Sequence, residues 1–142
     1  MRSPSPPARW RTFLRVVAAV AFVLAGSNHF RNPSFYKSII PPGLPAPGAL
    51  VAISGICEIA GGLGLLIRPL RRAAGWGLIA LLIAVFPANV YMLQHPDSVP
   101  NLRISTGLLW ARLPLQAVFI LWIWYASLAR ETNAPESQVS FQ

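Results

Sequence analysis

Four stretches of this chain are long, apolar and almost free of charge, and that pattern constrains its fold more than any other feature. They are Phe13–Phe30, Leu50–Ile67, Ala73–Leu93 and Ile104–Leu128. A helix that crosses a bilayer needs about 20 mostly apolar residues. The first stretch carries Arg15 near its start, the second only Glu58, the third no charge, and the fourth only Arg112. A soluble bundle would show polar stripes at the helical period. These stretches are apolar nearly all round, so lipid is the better solvent for them. Composition agrees: 54% of the chain is apolar and 11% charged, where a soluble domain is about one-quarter charged. Such hydrophobicity excludes disorder, and no collagen or coiled-coil period is present. The single cysteine, Cys57, excludes an internal disulfide framework and reads as a small apolar filler. The expected architecture is all-α, an integral membrane four-helix bundle. Residues 1–12 are expected to form an N-terminal tail, 13–128 the membrane domain and 129–142 a C-terminal tail.

Charge gives the expected orientation. Short loops rich in Lys and Arg stay on the cytoplasmic side. One side of the spans carries Arg2, Arg9, Arg11, Arg15, Arg68, Arg71, Arg72 and Arg130; the other carries Arg31, Lys37 and Arg103. Both termini are therefore expected in the cytoplasm. The net charge of +8 is accounted for by this bias and by anionic lipid. The arginines are scattered over membrane-flanking loops and form no single patch, so no nucleic-acid partner is predicted. The Arg-rich start, apolar 16–24 and the Val23-x-Ala25 pair also fit a signal peptide. Its removal would leave three spans in the same orientation.

The first outer loop has two parts. Asn32-Pro33 is a helix-start signal, and Phe35/Ile39 with Tyr36/Ile40 repeat at four-residue spacing. Together they predict a short interfacial helix. The strap that follows, Pro41-Pro42-Gly43-Leu44-Pro45-Ala46-Pro47-Gly48, is too rich in proline to be helical. It reads as a rigid connector or as a lid over an outward-facing cavity.

Ionisable groups inside membrane helices are costly and face the protein interior. Here they are Glu58 and Arg112, with His29, Asn89 and Gln116 as polar companions. At about 1.5 Å rise per residue, all five fall in the outer half of the bilayer or near its middle. Arg112 and Gln116 share a helix face, and Glu58 shares one with Ser54, Gly61 and Gly62. Pro87 and Pro114 each free a backbone carbonyl near the same level. One reading is a structural Glu58–Arg112 ion pair with the other three bonded around it. The other is a small-molecule or proton site, in which Glu58 accepts a proton, Arg112 binds a carbonyl or anion, and His29 exchanges protons with the outer aqueous side. No metal-ligand spacing exists. His95 falls in a loop and does not face His29, so no histidine pair for haem is predicted. No phosphate-binding, dinucleotide or nucleophile-elbow motif is present.

The chain also resembles the DoxX-like family of small bacterial membrane proteins. The resemblance rests on His29-Phe30 with Pro33, on IIPPGLPAPGALVAISGICEIAGGLGLLI at 39–67, on AGWGLIALLIAVFPANVYM at 74–92 and on LWARLPLQ at 109–116. It extends from about Phe13 to Leu128. It implies a four-helix bundle in the bacterial inner membrane with an uncleaved first span. It also implies association with quinone-linked redox complexes, hence quinone as a ligand and a membrane redox partner. The chain has no cysteine pair for the sulfur chemistry that gives the family its name. Three functions follow as expectations: a quinone-interacting component of redox or stress metabolism, a small proton-linked carrier or channel-like protein, and a non-catalytic scaffold. For the carrier a homodimer is expected, built through Gly61/Gly62 or Gly75/Gly77.

Overall fold

A computed structural model describes residues 6–99 and 105–129. The N-terminal arginine Arg2, the loop arginine Arg103, the first residue of the expected fourth span and the tail from Arg130 onward lie outside the described residues. Helix α1 spans Pro6–Arg31, α2 Pro33–Ser38, α3 Pro47–Leu66, α4 Arg71–Gln94 and α5 Thr106–Ile123. A 3-10 turn, Pro96–Ser98, follows α4, and a π-helical turn, Trp124–Leu128, continues α5. The described residues contain no strand. Four helical segments are long and apolar enough to cross a membrane: Arg9–Arg31, Pro47–Leu66, Arg71–Gln94 and Gly107–Leu128. Their outer surface suits lipid. Leu24 is 65% exposed, Ile83 60% and Leu121 65%, each on a different helix. A water-facing surface would not carry large apolar side chains all round.

The helix starts differ from expectation for one reason. Proline at a helix start costs nothing, because the first turn has no intrahelical acceptor for its missing N–H. So α1 begins at Pro6, inside the expected tail, and α3 begins at Pro47, inside the expected strap. Helix α2 forms where Asn32-Pro33 predicted, but Asn32 makes no side-chain cap. Its amide donates instead to Asn28 Oδ1 at 2.7 Å. The strap proper is then Ile39–Ala46. It turns through Gly43 at φ +105° and Ala46 at φ +48°. A left-handed alanine is strained by about 1–2 kcal/mol, which the docking of α3 must hold in place.

The chain runs up and down. The α1–α3 contact is the most extensive, followed by α3 on α4 and then α4 on α5, and α1 also meets the π-helical turn. Glycine decides the closest approach. A Cβ at Gly26 would lie 2.9 Å from Glu58 Cβ, and one at Gly55 would lie 2.9 Å from His29 Cβ. Small residues let membrane helices approach in this way. The glycines expected to build a dimer are mostly spent within the chain. Gly61 faces Leu78, Gly62 faces the Ala19 carbonyl, and Gly75 faces Ser127, while Gly77 has open space.

Two apolar layers hold the bundle. Near the termini, Ala18, Phe22, Leu65, Leu78, Ile79 and Ile123 are buried together. At the loop end, Ile39, Met92, Val99 and Leu109 are buried, with Phe35 and Tyr36 packed against them. The second layer ties α2 and the α4–α5 link into a cap. The termini end is also fastened by an arginine. Arg11 is buried and donates through Nη2 to the carbonyls of Tyr125 at 3.0 Å and Ala129 at 2.5 Å. Its guanidinium lies 5.5 Å from the centre of the Tyr125 ring. Arg15 is buried too and donates to the Arg11 carbonyl at 3.2 Å and to Thr12 Oγ1 at 2.9 Å. Charge bias alone assigns these two arginines to topology; the structure gives them packing and hydrogen-bonding roles as well.

Candidate functional site

Between the two apolar layers lies a cavity of about 740 Å³. It is open to the outside rather than sealed, and of the size that small-molecule sites have. His29, Glu58, Asn89, Arg112 and Gln116 all line it. The sequence singled out these five residues from four spans, and the fold brings them to one space. Its remaining walls are mainly apolar, from Leu50 and Ile53 on α3, Leu81 and Val85 on α4, and Leu115 and Phe119 on α5. The strap supplies part of the lining through Ile40, Pro41, Leu44 and Pro45.

The partners differ from the expected Glu58–Arg112 pair. Glu58 Oε2 lies 3.6 Å from His29 Nε2, and Arg112 Nη2 donates to Asn89 Oδ1 at 3.4 Å. The reason is helix adjacency. Helix α1 lies along α3 at the Gly26–Gly55 crossing, whereas Arg112 projects from α5, which packs on α4. The polar groups therefore form two sets on the cavity wall.

The first set is built on α1 and α3. His29 Nδ1 is 3.1 Å from the Val51 carbonyl and 3.0 Å from Ser54 Oγ. Ser54 Oγ itself donates to the Val51 carbonyl at 3.0 Å. A carbonyl only accepts, so this geometry puts a hydrogen on Nδ1 and leaves Nε2 facing Glu58. The His29 ring stacks on Tyr36 with centroids 3.8 Å apart. Tyr36 in turn accepts from Asn28 Nδ2 at 3.0 Å. The imidazole is thus held on three sides. Glu58 is held less completely. Its side chain is 13% exposed, yet Oε2 is buried and has no hydrogen-bond partner. Buried polar atoms are nearly always bonded, so an orphaned carboxylate oxygen on a cavity wall marks a place for a donor.

The second set is built on α4 and α5. Gln116 is buried, donates to the Leu82 carbonyl and accepts from Asn89 Nδ2 at 3.0 Å. Asn89 Oδ1 then accepts from Arg112. Gln116 and Asn89 therefore largely satisfy each other, and they orient Arg112. Among the described residues Arg112 has no carboxylate within ion-pair distance.

Sequence reasoning missed Tyr36 as a wall of the site and the Val51 and Leu82 carbonyls as acceptors. Pro87, itself on the cavity wall, was the available signal for a polar α4 backbone at this level. Cys57 is exposed rather than packed as filler, because it points about 100° round α3 from its neighbour Glu58. Among the described residues no group of three His, Cys, Asp or Glu side chains could hold a metal ion.

Four apolar helices with a cavity between them define the class: a multi-pass helical membrane protein with a partly open cavity of small-molecule size. Within that class the chain belongs to the domain of unknown function DUF8561, matched over residues 18–127. No curated protein and no solved structure matches it.

Proposed function

We propose that the protein binds an amphipathic small molecule within the membrane, and that it does so as a component of redox or stress metabolism with quinone as the first ligand to test. The observation that carries this reading is the Glu58 carboxyl on the wall of a mainly apolar cavity, its Oε2 within 3.6 Å of His29 Nε2 yet without a hydrogen bond. An apolar site with a few convergent polar groups is what a ligand with a polar head and a greasy tail requires. His29 fixes the Glu58 carboxyl from one side, and Arg112 presents N–H donors to a ligand oxygen from the other set. The DoxX-like resemblance supports the choice of quinone and of a membrane redox partner. The accompanying orientation is that of a bacterial inner-membrane protein with both termini in the cytoplasm.

The test is titration of the nanodisc-embedded protein with a short-tailed quinone, joined to mass spectrometry of its co-purified lipids. Glu58→Ala is expected to weaken binding by about tenfold or more while the helical content stays unchanged. Absence of quinone from the extract together with no binding on titration removes the quinone reading.

A second reading is favoured by the His29–Glu58 juxtaposition, a pair able to pass a proton between its two members. In it the same cavity is the proton or solute site of a small carrier, most simply a homodimer. Uptake into proteoliposomes that ignores pH and survives Glu58→Gln unchanged counts against it.

A further inference from the structure

We infer that the ligand of this cavity carries a negatively charged head: it is an anionic single-chain amphiphile of the long-chain carboxylate class, with its charge on Arg112 and its chain along the α3, α4 and α5 walls. This rests on the reading that the cavity holds an amphiphile, and it adds a charge requirement that a neutral quinone does not meet.

The argument begins with charge balance. The titratable groups on the cavity wall are His29, Tyr36, Glu58 and Arg112. His29 and Glu58 face each other at 3.6 Å. As an ion pair or as a neutral pair they sum to zero, and neither arrangement puts the Glu58 carboxyl on Arg112. Tyr36 is engaged as the acceptor from Asn28 and stacks on the histidine. Arg112 is left with one positive charge and no acid. A guanidinium does not lose its proton in proteins, and among the described residues no carboxylate lies within ion-pair distance of it.

The hydrogen bonds point the same way. Arginine has five N–H donors in a planar fork. Among the described residues the guanidinium makes one hydrogen bond, a 3.4 Å contact from Nη2 to a neutral amide oxygen. Asn89 and Gln116 are tied to each other and to the Leu82 carbonyl, so they can brace Arg112 but offer it no charge. A charged side chain within a membrane helix is costly unless paired. A carboxylate would supply both the missing charge and a two-oxygen acceptor that the fork matches. Size and wall chemistry select the rest of the ligand. A space of about 740 Å³ with mainly apolar walls accommodates one chain.

The test uses the full-length protein in nanodiscs of neutral phosphatidylcholine, with empty discs subtracted. Laurate, dodecanol and a short-tailed quinone are titrated calorimetrically. Laurate is expected to bind about tenfold more tightly than dodecanol or the quinone. Arg112→Gln is expected to abolish that preference and retain dodecanol binding; Arg112→Lys is expected to keep part of it. Arg72→Gln, at an exposed arginine remote from the cavity, is expected to keep all of it. Equal affinity for laurate and dodecanol overturns the charge requirement while leaving the cavity reading intact, and so does tighter binding of the quinone. A preference that survives Arg112→Gln, or falls with Arg72→Gln, assigns the effect to the membrane-surface arginines and overturns the inference. No binding of any of the three overturns the cavity reading as well.

Discussion

At the scale of single residues, two glycines set the chemistry of the cavity without facing it. Gly26 and Gly55 allow α1 and α3 to touch, and that contact brings His29 to Ser54, Val51 and Glu58. A methyl group at Gly55 would sit 2.9 Å from His29 Cβ and 3.0 Å from the Gly26 carbonyl. Backbone cannot yield as a flexible side chain does, so the helices must part. Gly55→Ala is expected to cost about 1–3 kcal/mol by overpacking and to separate His29 from Glu58. The measurement is thermal unfolding in detergent alongside the ligand titration. Loss of affinity as large as in Glu58→Ala is the expected result, and full affinity would show that the crossing does not position the pair. Here the sequence was silent. It identified Glu58 and His29 as interior polar groups from their isolation in apolar spans. It could not choose the partner of Glu58, because hydropathy fixes depth and not which helix stands next to which. The charge on Arg112 made it the obvious partner, and the Gly26–Gly55 crossing gave that place to His29.

At the scale of elements, the ends of the helices differ from the hydropathy boundaries, and each difference has a local cause. Prolines at 6 and 47 extend α1 and α3 backward because a helix start tolerates them. The interfacial helix was legible from Asn32-Pro33 and the four-residue aromatic spacing. The π-helical turn at Trp124–Leu128 was not, since nothing in a run of apolar residues marks a change of hydrogen-bond register. In it, Ala129 N–H bonds to the Trp124 carbonyl at 3.0 Å, and Arg11 takes up the carbonyls of Tyr125 and Ala129. A cation at a helix C-terminus also opposes the helix dipole favourably. Arg11→Leu is expected to destabilise the bundle by about 2 kcal/mol and to speed amide exchange over 124–129. Unchanged exchange there would reduce Arg11 to a signal of orientation alone. The strap, read either as connector or as lid, is now seen to contribute to the cavity lining through Ile40, Pro41, Leu44 and Pro45.

At the scale of the whole molecule, a polar layer lies between two apolar ones. The termini-end layer holds the bundle together, the loop-end layer holds the cap, and the cavity lies where neither fills the interior. Four spans were legible because their apolar character is continuous, and a lipid-facing surface follows from it. Cys57 gives a simple check, since it is the one thiol in the chain and is exposed at mid-height of α3. In intact vesicles it is expected to resist a membrane-impermeant maleimide and to react fully after solubilisation in denaturing detergent. Rapid labelling in vesicles would place that face of α3 in water and contradict the membrane-spanning arrangement. The Arg11 fastening has a consequence for how the chain is made. Its acceptors lie 114 and 118 residues further along the chain. At typical synthesis rates the first span waits roughly 6 to 24 s for them. During that interval the nascent protein carries a cationic hook whose eye has yet to be synthesised, and insertion of the last span is the event that latches the first.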